Sequence, residues 1–252
     1  MPPNLSTMQR TIFISDLHLT ESREDITHCF YHFLATHVTD GCDALYILGD
    51  FFEVWIGDDQ QTPLQNEIAQ KLKAISDSGT PVYFIHGNRD FLLGKKYANR
   101  AGITLLPEQA VINLYDNKVL IMHGDELCTQ DVSYQKFRKT SRSKWWQLLM
   151  LNLPLWLRKK IATSAREKSK KNQQGVPLDI MDVVQSDVEQ AMLKHDVRLL
   201  IHGHTHRPDI HNFLVNDQPH QRIVLGDWYE QGSFLVVTPQ SMELNTKSLR
   251  VN

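Results

Sequence analysis

The sequence predicts a layered α/β fold that carries a long helical insertion. Short apolar runs of about strand length alternate with amphipathic helical patterns, which is typical of a sheet covered by helices. The runs are almost continuously apolar, which indicates strands buried on both faces. Residues 128–177 break the alternation and are helical in pattern. We expect a single domain of 252 residues with this segment inserted between two core strands.

Five apolar runs form the predicted core strands, and four of them end in glycine. They are Thr11–Ser15, Ala44–Gly49, Val82–Gly87, Val119–Gly124 and Leu199–Gly203. Three shorter strands are predicted near the end of the chain, with Gly, Ser and Pro between them. They are Arg222–Leu225, Phe234–Thr238 and Met242–Thr246.

Helical patterns fill the intervals between these strands. The clearest are Asp25–Val38 and Pro63–Ser78, and Asp179–His195 is a third. Pro63 is well placed to begin its helix and Gly79 to end it, because proline favours the first helical turn and glycine the position after the last.

Composition and charge set broad limits on function. Apolar residues make up 41% of the chain and charged residues 22%, as in ordinary globular proteins. A net charge of −2 gives no general argument for nucleic-acid binding. The three cysteines are odd in number and form no C-x-x-C pair, which favours a reducing cytoplasm. We expect no signal peptide in Met1–Met8 and no membrane-spanning helix.

Each of the five core runs leads into side chains that can bind a metal ion. The motifs are Asp16-Leu17-His18, Gly49-Asp50, Gly87-Asn88-Arg89-Asp90, His123-Gly124-Asp125 and Gly203-His204-Thr205-His206. Open α/β sheets bind ligands beyond the carboxyl ends of their strands, so we expect these motifs to converge. The neighbouring glycines allow close approach of the backbone.

Seven of these side chains are candidate metal ligands: Asp16, His18, Asp50, Asn88, His123, His204 and His206. That number is too large for one tetrahedral ion with an open position. Oxygen and imidazole ligands without thiolate favour Mn, Fe or Zn over Ca. We therefore predict two ions that share a bridging carboxylate, a centre that can clamp a phosphoryl group and supply hydroxide as nucleophile. The sequence has no G-x-S-x-G nucleophile motif.

Simpler interpretations compete for single residues. A lone D-x-H or G-N-R-D is weak evidence, and Asp50 could instead cap a helix. For His86 and His202 we favour a core position. His28 and His32 share a helix face that could bind zinc, but no H-E-x-x-H carboxylate accompanies them, so a solvated face is favoured.

The ordered set D-x-H, G-D, G-N-R-D, H-G-D and G-H-T-H resembles the calcineurin-like metallophosphoesterase superfamily over most of the chain. The resemblance implies a layered α-β-β-α core with a helical lid. Four stretches resemble more closely the pyrophosphatases of lipid A biosynthesis, within a similarity that runs from about Thr11 to about Thr238. They are Ala44–Asp59, Tyr83–Lys95, Val119–Cys128 and Leu200–Pro208. These enzymes hydrolyse UDP-2,3-diacylglucosamine at the α-phosphorus, giving 2,3-diacylglucosamine 1-phosphate (lipid X) and UMP.

The resemblance also implies roles for individual residues. Asp16, His18 and His206 would hold one manganese ion, Asn88, His123 and His204 a second, and Asp50 would bridge them. The catalytic group would comprise Asp50, Asn88, Arg89 and His123, with Arg89 gripping the diphosphate. The substrate contacts would be Asn88, Arg89, Asp131, Tyr134, Arg166, Ser169 and His204. The family often has Asn and Lys where this chain has Gln173 and Val176.

The insertion has a composition of its own. Trp145–Leu157 contains three tryptophans and only two polar residues in thirteen. Arg138–Lys171 contains eleven Lys or Arg residues and one acid, Glu167, so this segment carries +10 and the rest of the chain −12. Tryptophans flanked by cations are typical of contact with an anionic membrane surface or of a lid over acyl chains.

Two alternatives remain for the insertion: a buried helical hairpin and a nucleic-acid site. A nucleic-acid site would use the basic residues but would not need the apolar residues of Trp145–Leu157. We expect peripheral association with the cytoplasmic face of the inner membrane and no nucleic-acid partner. For the whole chain the alternatives are another two-metal phosphodiesterase or nucleotide pyrophosphatase of the same fold, and a non-catalytic scaffold, which would be expected to lose ligands.

Overall fold

Two β-sheets stacked face to face form the centre of the protein, in a computed structural model that describes residues 9–39, 41–173 and 182–248. The first sheet contains β1 (Thr11–Ile14), β2 (Ala44–Ile47), β3 (Val82–Phe84), β4 (Ile103–Leu105), β10 (Gln231–Val237) and β11 (Met242–Ser248). The second contains β5 (Gln109–Leu114), β6 (Asn117–Met122), β7 (Leu199–His202), β8 (Asp209–Val215) and β9 (Gln218–Val224).

Parallel strands occupy the middle of both sheets. The first sheet has the order β11-β10-β1-β2-β3-β4, in which β1 to β4 are parallel and β10 and β11 are antiparallel additions. The second has the order β5-β6-β7-β9-β8, with β6, β7 and β9 parallel. The parallel strands therefore bring the chemical motifs that follow them to one end of the molecule.

Helices cover the outer faces of the two sheets. On the first sheet lie α1 (Glu24–Phe33), which continues into a π-helical turn over Leu34–Val38, α2 (Pro63–Asp77) and α3 (Lys95–Ala101). On the second sheet lies α7 (Gln185–Lys194). This is the expected α-β-β-α architecture.

Alternation along the strands explains why their apolar runs are nearly continuous. Ile12 and Ile14 of β1 pack against the outer helices, whereas Phe13 packs between the sheets. In β6, Ile121 packs between the sheets and Leu120 contacts the apolar face of α7. Both faces of these strands are buried, as the sequence indicates.

The structure agrees with the predicted boundary of one helix and corrects another. Thr62 and Gln65 form a reciprocal capping box at the start of α2, next to Pro63. Helix α7 begins at Gln185 and not at Asp179. Residues 182–184 are not helical, because Val184 is extended and donates its N–H to the carbonyl of Leu127 (2.9 Å), and residues 179–181 lie outside the described part.

Within residues 128–173, the described part of the insertion forms α4 (Val132–Ser141), α5 (Lys144–Asn152) and α6 (Leu155–Gln173). Arg158 fastens α6 to the body of the protein. Its buried guanidinium donates to the carbonyls of Leu153 (2.9 Å) and Ile56 (2.6 Å) and to the carboxylate of Asp59. Among the described residues no helix is both long and apolar enough to cross a membrane.

Candidate metal centre

The loops after the core strands are joined directly to one another by backbone hydrogen bonds. The N–H of Asp16 donates to the carbonyl of Gly49 (3.1 Å), and the N–H of His18 donates to the carbonyl of Asp50 (2.9 Å). At Gly49 the backbone is left-handed (φ 87°), and a Cβ there would lie 2.5 Å from the N atom of Gly87. Glycine therefore lets the loops after β2 and β3 touch.

Left-handed backbone conformations are concentrated at the candidate ligands. In the described part of the chain, ten residues other than glycine have positive φ, and five of them are candidate ligands: Asp16 (56°), His18 (51°), Asp50 (49°), His204 (72°) and His206 (56°). Such conformations are uncommon for residues with a side chain and persist only where surrounding contacts enforce them. These turns aim consecutive polar side chains into the same space.

Asp16, His18 and His206 form the first cluster. Oδ1 of Asp16 lies 3.4 Å from Nε2 of His206, and Nε2 of His206 lies 3.4 Å from Nε2 of His18. The other Asp16 oxygen is occupied by the hydroxyl of Ser15 (2.5 Å) and the N–H of His204 (2.9 Å). Oδ1 is buried and makes no hydrogen bond.

Asn88, His123 and His204 form the second cluster. Nε2 of His123 lies 3.1 Å from Oδ1 of Asn88. The rings of His123 and His204 meet edge to face with their centroids 5.0 Å apart. Their ligand atoms come from the loop after β3 and the ends of β6 and β7, so both sheets contribute.

Asp50 lies between the two clusters. Its Oδ2 is 3.8 Å from Nε2 of His18, and its Oδ1 is 3.7 Å from Nε2 of His123. One carboxylate oxygen thus faces each cluster, with the side chain almost completely buried. The structure brings all seven candidate ligands into one continuous group.

Three histidines of the group present Nε2 inward because Nδ1 faces an acceptor. Nδ1 of His123 donates to the carbonyl of Leu48 (2.8 Å). Nδ1 of His206 lies 3.1 Å from Asp227. Nδ1 of His18 lies 3.4 Å from Glu53, an ion-pair distance at which Nδ1 makes no hydrogen bond. Outer acceptors of this kind orient metal-binding imidazoles and select the tautomer whose Nε2 can bind a cation.

Glu53 and Asp227 were not predicted to be site residues. Asp227 follows Gly226 directly after β9, which repeats the pattern of a strand followed by Gly49-Asp50. That repetition is a signal that could have found it. Glu53 carries no comparable signal, because it occupies the long loop after β2.

The pKa values in the group reflect a dense pattern of charges. Burial lowers the pKa of His206, but the carboxylates of Asp16 and Asp227 outweigh it and raise the pKa to about 10. Burial and the neighbouring His123 lower the pKa of His204 to about 4. The imidazole of His204 is therefore neutral at neutral pH, as a metal ligand must be.

The donors in this group fit divalent cations. They are carboxylate and amide oxygens and imidazole nitrogens without a cysteine, the mixture that suits Mn, Fe or Zn. Asp16–His18–His206 and Asp16–Asp50–His123 each place three ligand atoms within 4.8 Å of one another. The unpaired buried oxygen of Asp16 is the kind of atom that a cation would satisfy.

Other predicted site residues surround this group at different distances from it. The side-chain Nε of Arg89 is buried without a hydrogen bond, and the backbone N–H of Arg89 donates to Oδ1 of Asp50 (2.8 Å). Tyr134 stacks on His204 with ring centroids 6.1 Å apart. Asp131 caps α4 by accepting from the N–H of Tyr134 (2.9 Å). These contacts place the beginning of the insertion beside the second cluster.

Arg166 of α6 forms an ion pair with Oε1 of Glu53 at 2.6 Å, which connects the insertion to the first cluster. Ser169 and Gln173 lie on the same helix, but their side chains are outside the described part, as is the whole of Val176. The predicted substrate contact of Ser169 stays a prediction.

The structure gives structural contacts to three residues whose roles were open. His202 is fully buried and donates through Nδ1 to the carbonyl of Gly203 (2.8 Å), while Arg222 lies at its Nε2. His86 contacts the carbonyl of Leu93 through Nε2 (2.7 Å). Asp90 accepts from the N–H groups of Phe51 and Gly87, each at 2.8 Å, and so ties the loops after β2 and β3 together.

Comparisons with known proteins agree with this geometry. The sequence matches the calcineurin-like phosphoesterase family over residues 9–208. It is 54% identical over 234 residues to the UDP-2,3-diacylglucosamine hydrolases of Escherichia coli O7:K1 (strain IAI39 / ExPEC) and Shigella sonnei (strain Ss046), a match covering 93% of this chain and 97% of each relative. An archaeal phosphodiesterase of known structure aligns with 94% of this chain and 99% of its own, at a TM-score of 0.47 and 12% identity, too distant to bear on function.

Proposed function

The chain belongs to the calcineurin-like phosphoesterase family, and from that premise we propose that it hydrolyses the diphosphate of UDP-2,3-diacylglucosamine with a pair of manganese ions, in lipid A biosynthesis. The observation that carries the proposal is the gathering of seven metal-type ligands into two clusters joined by Asp50. Identity of 54% to two UDP-2,3-diacylglucosamine hydrolases supports the choice of substrate.

The ligands divide between two subsites. Asp16, His18 and His206 would hold the first ion, and Asn88, His123 and His204 the second. Asp50 would bridge them, because its two carboxylate oxygens face different clusters. When bound, such a pair activates water and neutralises the charge of the scissile phosphate.

The protein's own groups would orient the diphosphate. The backbone N–H of Arg89 is bonded to the bridging carboxylate, and its buried side-chain Nε makes no hydrogen bond, so its planar donor fork would be available to phosphate oxygens. Water would attack the α-phosphorus in line, the bond from that phosphorus to the bridging oxygen would break, and the lipid 1-phosphate would leave. Hydrolysis in oxygen-18 water should then place the label in UMP, and label in the lipid phosphate would reject attack at the α-phosphorus.

The insertion would serve as a lid for the lipid part of the substrate. Tyr134 of α4 stacks on His204, and Arg166 of α6 pairs with Glu53 beside the first cluster. Asp131 caps the start of α4, and Ser169 belongs to α6. This geometry supports contacts between the sugar phosphate and residues on the inner side of α4 and α6.

The outer side of the lid would contact the cytoplasmic surface of the inner membrane. The side chains of Trp145, Leu148 and Trp156 are 64%, 66% and 67% exposed, although they are large and apolar. Lys144 and Lys159 lie in the same two helices and supply cations for anionic headgroups. An exposed apolar patch rimmed by basic residues is a signature of interfacial binding.

A turnover assay tests the catalytic proposal. The wild-type protein with added Mn²⁺ should hydrolyse UDP-2,3-diacylglucosamine much faster than a generic phosphodiester. Asp50→Ala should abolish this turnover without unfolding the metal-free protein. Asp196→Asn is a control, because the Asp196 side chain is 97% exposed, is not among the candidate ligands, and has a left-handed backbone (φ 51°) that asparagine tolerates. Substantial turnover by Asp50→Ala would contradict the bridging role.

The lid variant Trp145→Ser/Trp156→Ser separates substrate specificity from metal chemistry. It should lose sedimentation with vesicles containing phosphatidylglycerol and lose lipid hydrolysis, while cleavage of the small phosphodiester persists. Val111→Ser, which removes an exposed apolar side chain from β5, should change neither property. If hydrolysis of the lipid and of the small phosphodiester fell equally, the result would favour a nucleotide phosphodiesterase whose insertion has only a structural role.

A further inference from the structure

The two metal subsites of the proposed centre differ in what stands behind their histidines. In the first subsite, Nδ1 of His206 faces the carboxylate of Asp227 at 3.1 Å, and Nδ1 of His18 faces the carboxylate of Glu53 at 3.4 Å. In the second, Nδ1 of His123 donates to the neutral backbone carbonyl of Leu48. The acceptors that face His206 and His18 are thus carboxylates, whereas the acceptor behind His123 is uncharged.

The inner ligands strengthen this asymmetry. Beside the shared Asp50, the first subsite has a carboxylate ligand in Asp16, whereas the second has the neutral amide of Asn88. Asp125 is a carboxylate near the second subsite, but its charge is already engaged by Arg138 at 2.9 Å and Arg142 at 3.6 Å. Glu53 is likewise paired with Arg166 at 2.6 Å, so the excess negative charge of the first subsite comes from Asp16 and Asp227.

Glu53 and Asp227 have different ion-pair partners, so the effect of removing each carboxylate can be tested separately. Oε1 of Glu53 is paired with Arg166, so its charge is shared between the lid and His18. The Asp227 side chain is 22% exposed and pairs with His206. Asp227 is therefore the simpler carboxylate to remove without disturbing the lid.

We propose that Asp227 and Glu53 are positioning residues that hold His206 and His18 with Nε2 toward the first ion, and that the first subsite consequently fills first and binds more tightly. This inference rests on the proposed two-metal function. An outer carboxylate that orients a ligating histidine typically contributes about 10–100-fold in metal affinity.

Metal binding measured without turnover tests the inference. Metal-stripped protein would be titrated with Mn²⁺ and followed by electron paramagnetic resonance and calorimetry. The wild type should bind one ion tightly and a second more weakly. Asp227→Asn should weaken the tight step by about 10–100-fold, with the weak step unchanged. Glu53→Gln should act in the same direction, and Asp196→Asn should leave both steps unchanged.

The outcomes separate this inference from the proposed function. If two ions bind with equal affinity and Asp227→Asn has no effect, the asymmetry is wrong while the two-metal centre stands. If the weak step is the one that changes, the assignment of the carboxylates to the first subsite is wrong. If no Mn²⁺ binds to the wild type, the proposed function itself fails.

A measurement on the wild-type protein covers the case in which a variant does not fold. Nitrogen-15 spectra of the metal-loaded histidines should show His206 and His18 protonated at Nδ1, as a carboxylate behind each ring requires. The Nε2-protonated tautomer of His206 would overturn the positioning role of Asp227.

Discussion

Asp125→Asn removes the charge that fastens the beginning of the insertion to the core. Oδ2 of Asp125 accepts from the hydroxyl of Tyr134 (2.5 Å) and from Nε of Arg138 (2.9 Å), and Arg142 lies 3.6 Å away. The Asp125 side chain is almost completely buried, and both arginines are mostly buried. The substitution keeps the shape of the side chain but leaves two buried cations short of a partner.

The structure sets the size of the expected effect. Removing one partner of a buried ion pair costs about 3–5 kcal/mol. Glu108 lies 2.8 Å from Arg138 and 3.1 Å from Arg142 and remains to compensate both, so we expect the lower end, about 3 kcal/mol. For a chain of this length, about 2–4 °C of melting temperature accompanies each kcal/mol, which gives a decrease of roughly 6–12 °C.

The effect should also depend on pH. Burial opposes ionisation of Asp125, but the charges of His123, Arg142 and Arg138 outweigh burial and hold its pKa below the usual range. Its contribution to stability is therefore present above the unfolded-state pKa of about 4 and is lost as the pH falls toward the folded-state value. The difference between wild type and variant should be largest near neutrality and shrink below about pH 4.

Thermal unfolding of the metal-free proteins, followed by circular dichroism from pH 3 to pH 8, measures both expectations. Asp196→Asn is the matched control, since it makes the same chemical change on an exposed side chain. A decrease of less than about 2 °C near neutrality, or one that persists unchanged at pH 3, would refute this account of how α4 is held.

Three further predictions concern the metals, the tight turns and the thiols. Removing metal with EDTA should lower the melting temperature. Mn²⁺ at about 100 times its dissociation constant should restore about 2.7 kcal/mol of the free energy of unfolding. A melting temperature insensitive to Mn²⁺ would contradict a metal site in the folded state. Gly87→Ala should abolish turnover, because the added Cβ collides with the backbone and carboxylate of Asp50, and assayed activity equal to wild type would show that the turn can relax. The three cysteines should react slowly with an alkylating reagent at pH 8 until the protein unfolds. Burial raises the pKa of Cys29 and Cys42 to about 11 and of Cys128 to about 12, so few thiols are ionised. Rapid labelling of the native protein, detected by mass spectrometry, would contradict this.

The parts of the fold with strong periodicity could be predicted from the sequence. The core strands are buried on both faces, so their runs are apolar enough to recognise without a structure. Strands β4, β5 and β8 and helix α3 were not predicted. Strand β4 has only three residues, and β5 and β8 lie at the two edges of their sheet with mostly exposed or half-buried side chains, so none of the three shows a clear pattern.

The gathering of the candidate ligands could be predicted, whereas the groups behind them could not. Candidate ligands such as Asp50 and His123 follow recognisable strands, and the topology brings strand ends together. The role of Glu53 depends on which loop approaches His18, and the pairing with Arg166 depends on how the insertion folds back. These contacts arise from tertiary packing and leave no local pattern.

The left-handed turns explain why the ligand loops need so many outer contacts. Strained backbone conformations of this type cost on the order of 1–3 kcal/mol each, so five of them are comparable to the net stability of a domain, about 5–15 kcal/mol. The N–H groups of Phe51 and Gly87 donate to the carboxylate of Asp90, and the N–H of Trp228 donates to the carbonyl of Asp16 (3.2 Å). These hydrogen bonds help to hold the turns. Contacts within the protein itself therefore support the backbone conformation at the candidate ligands.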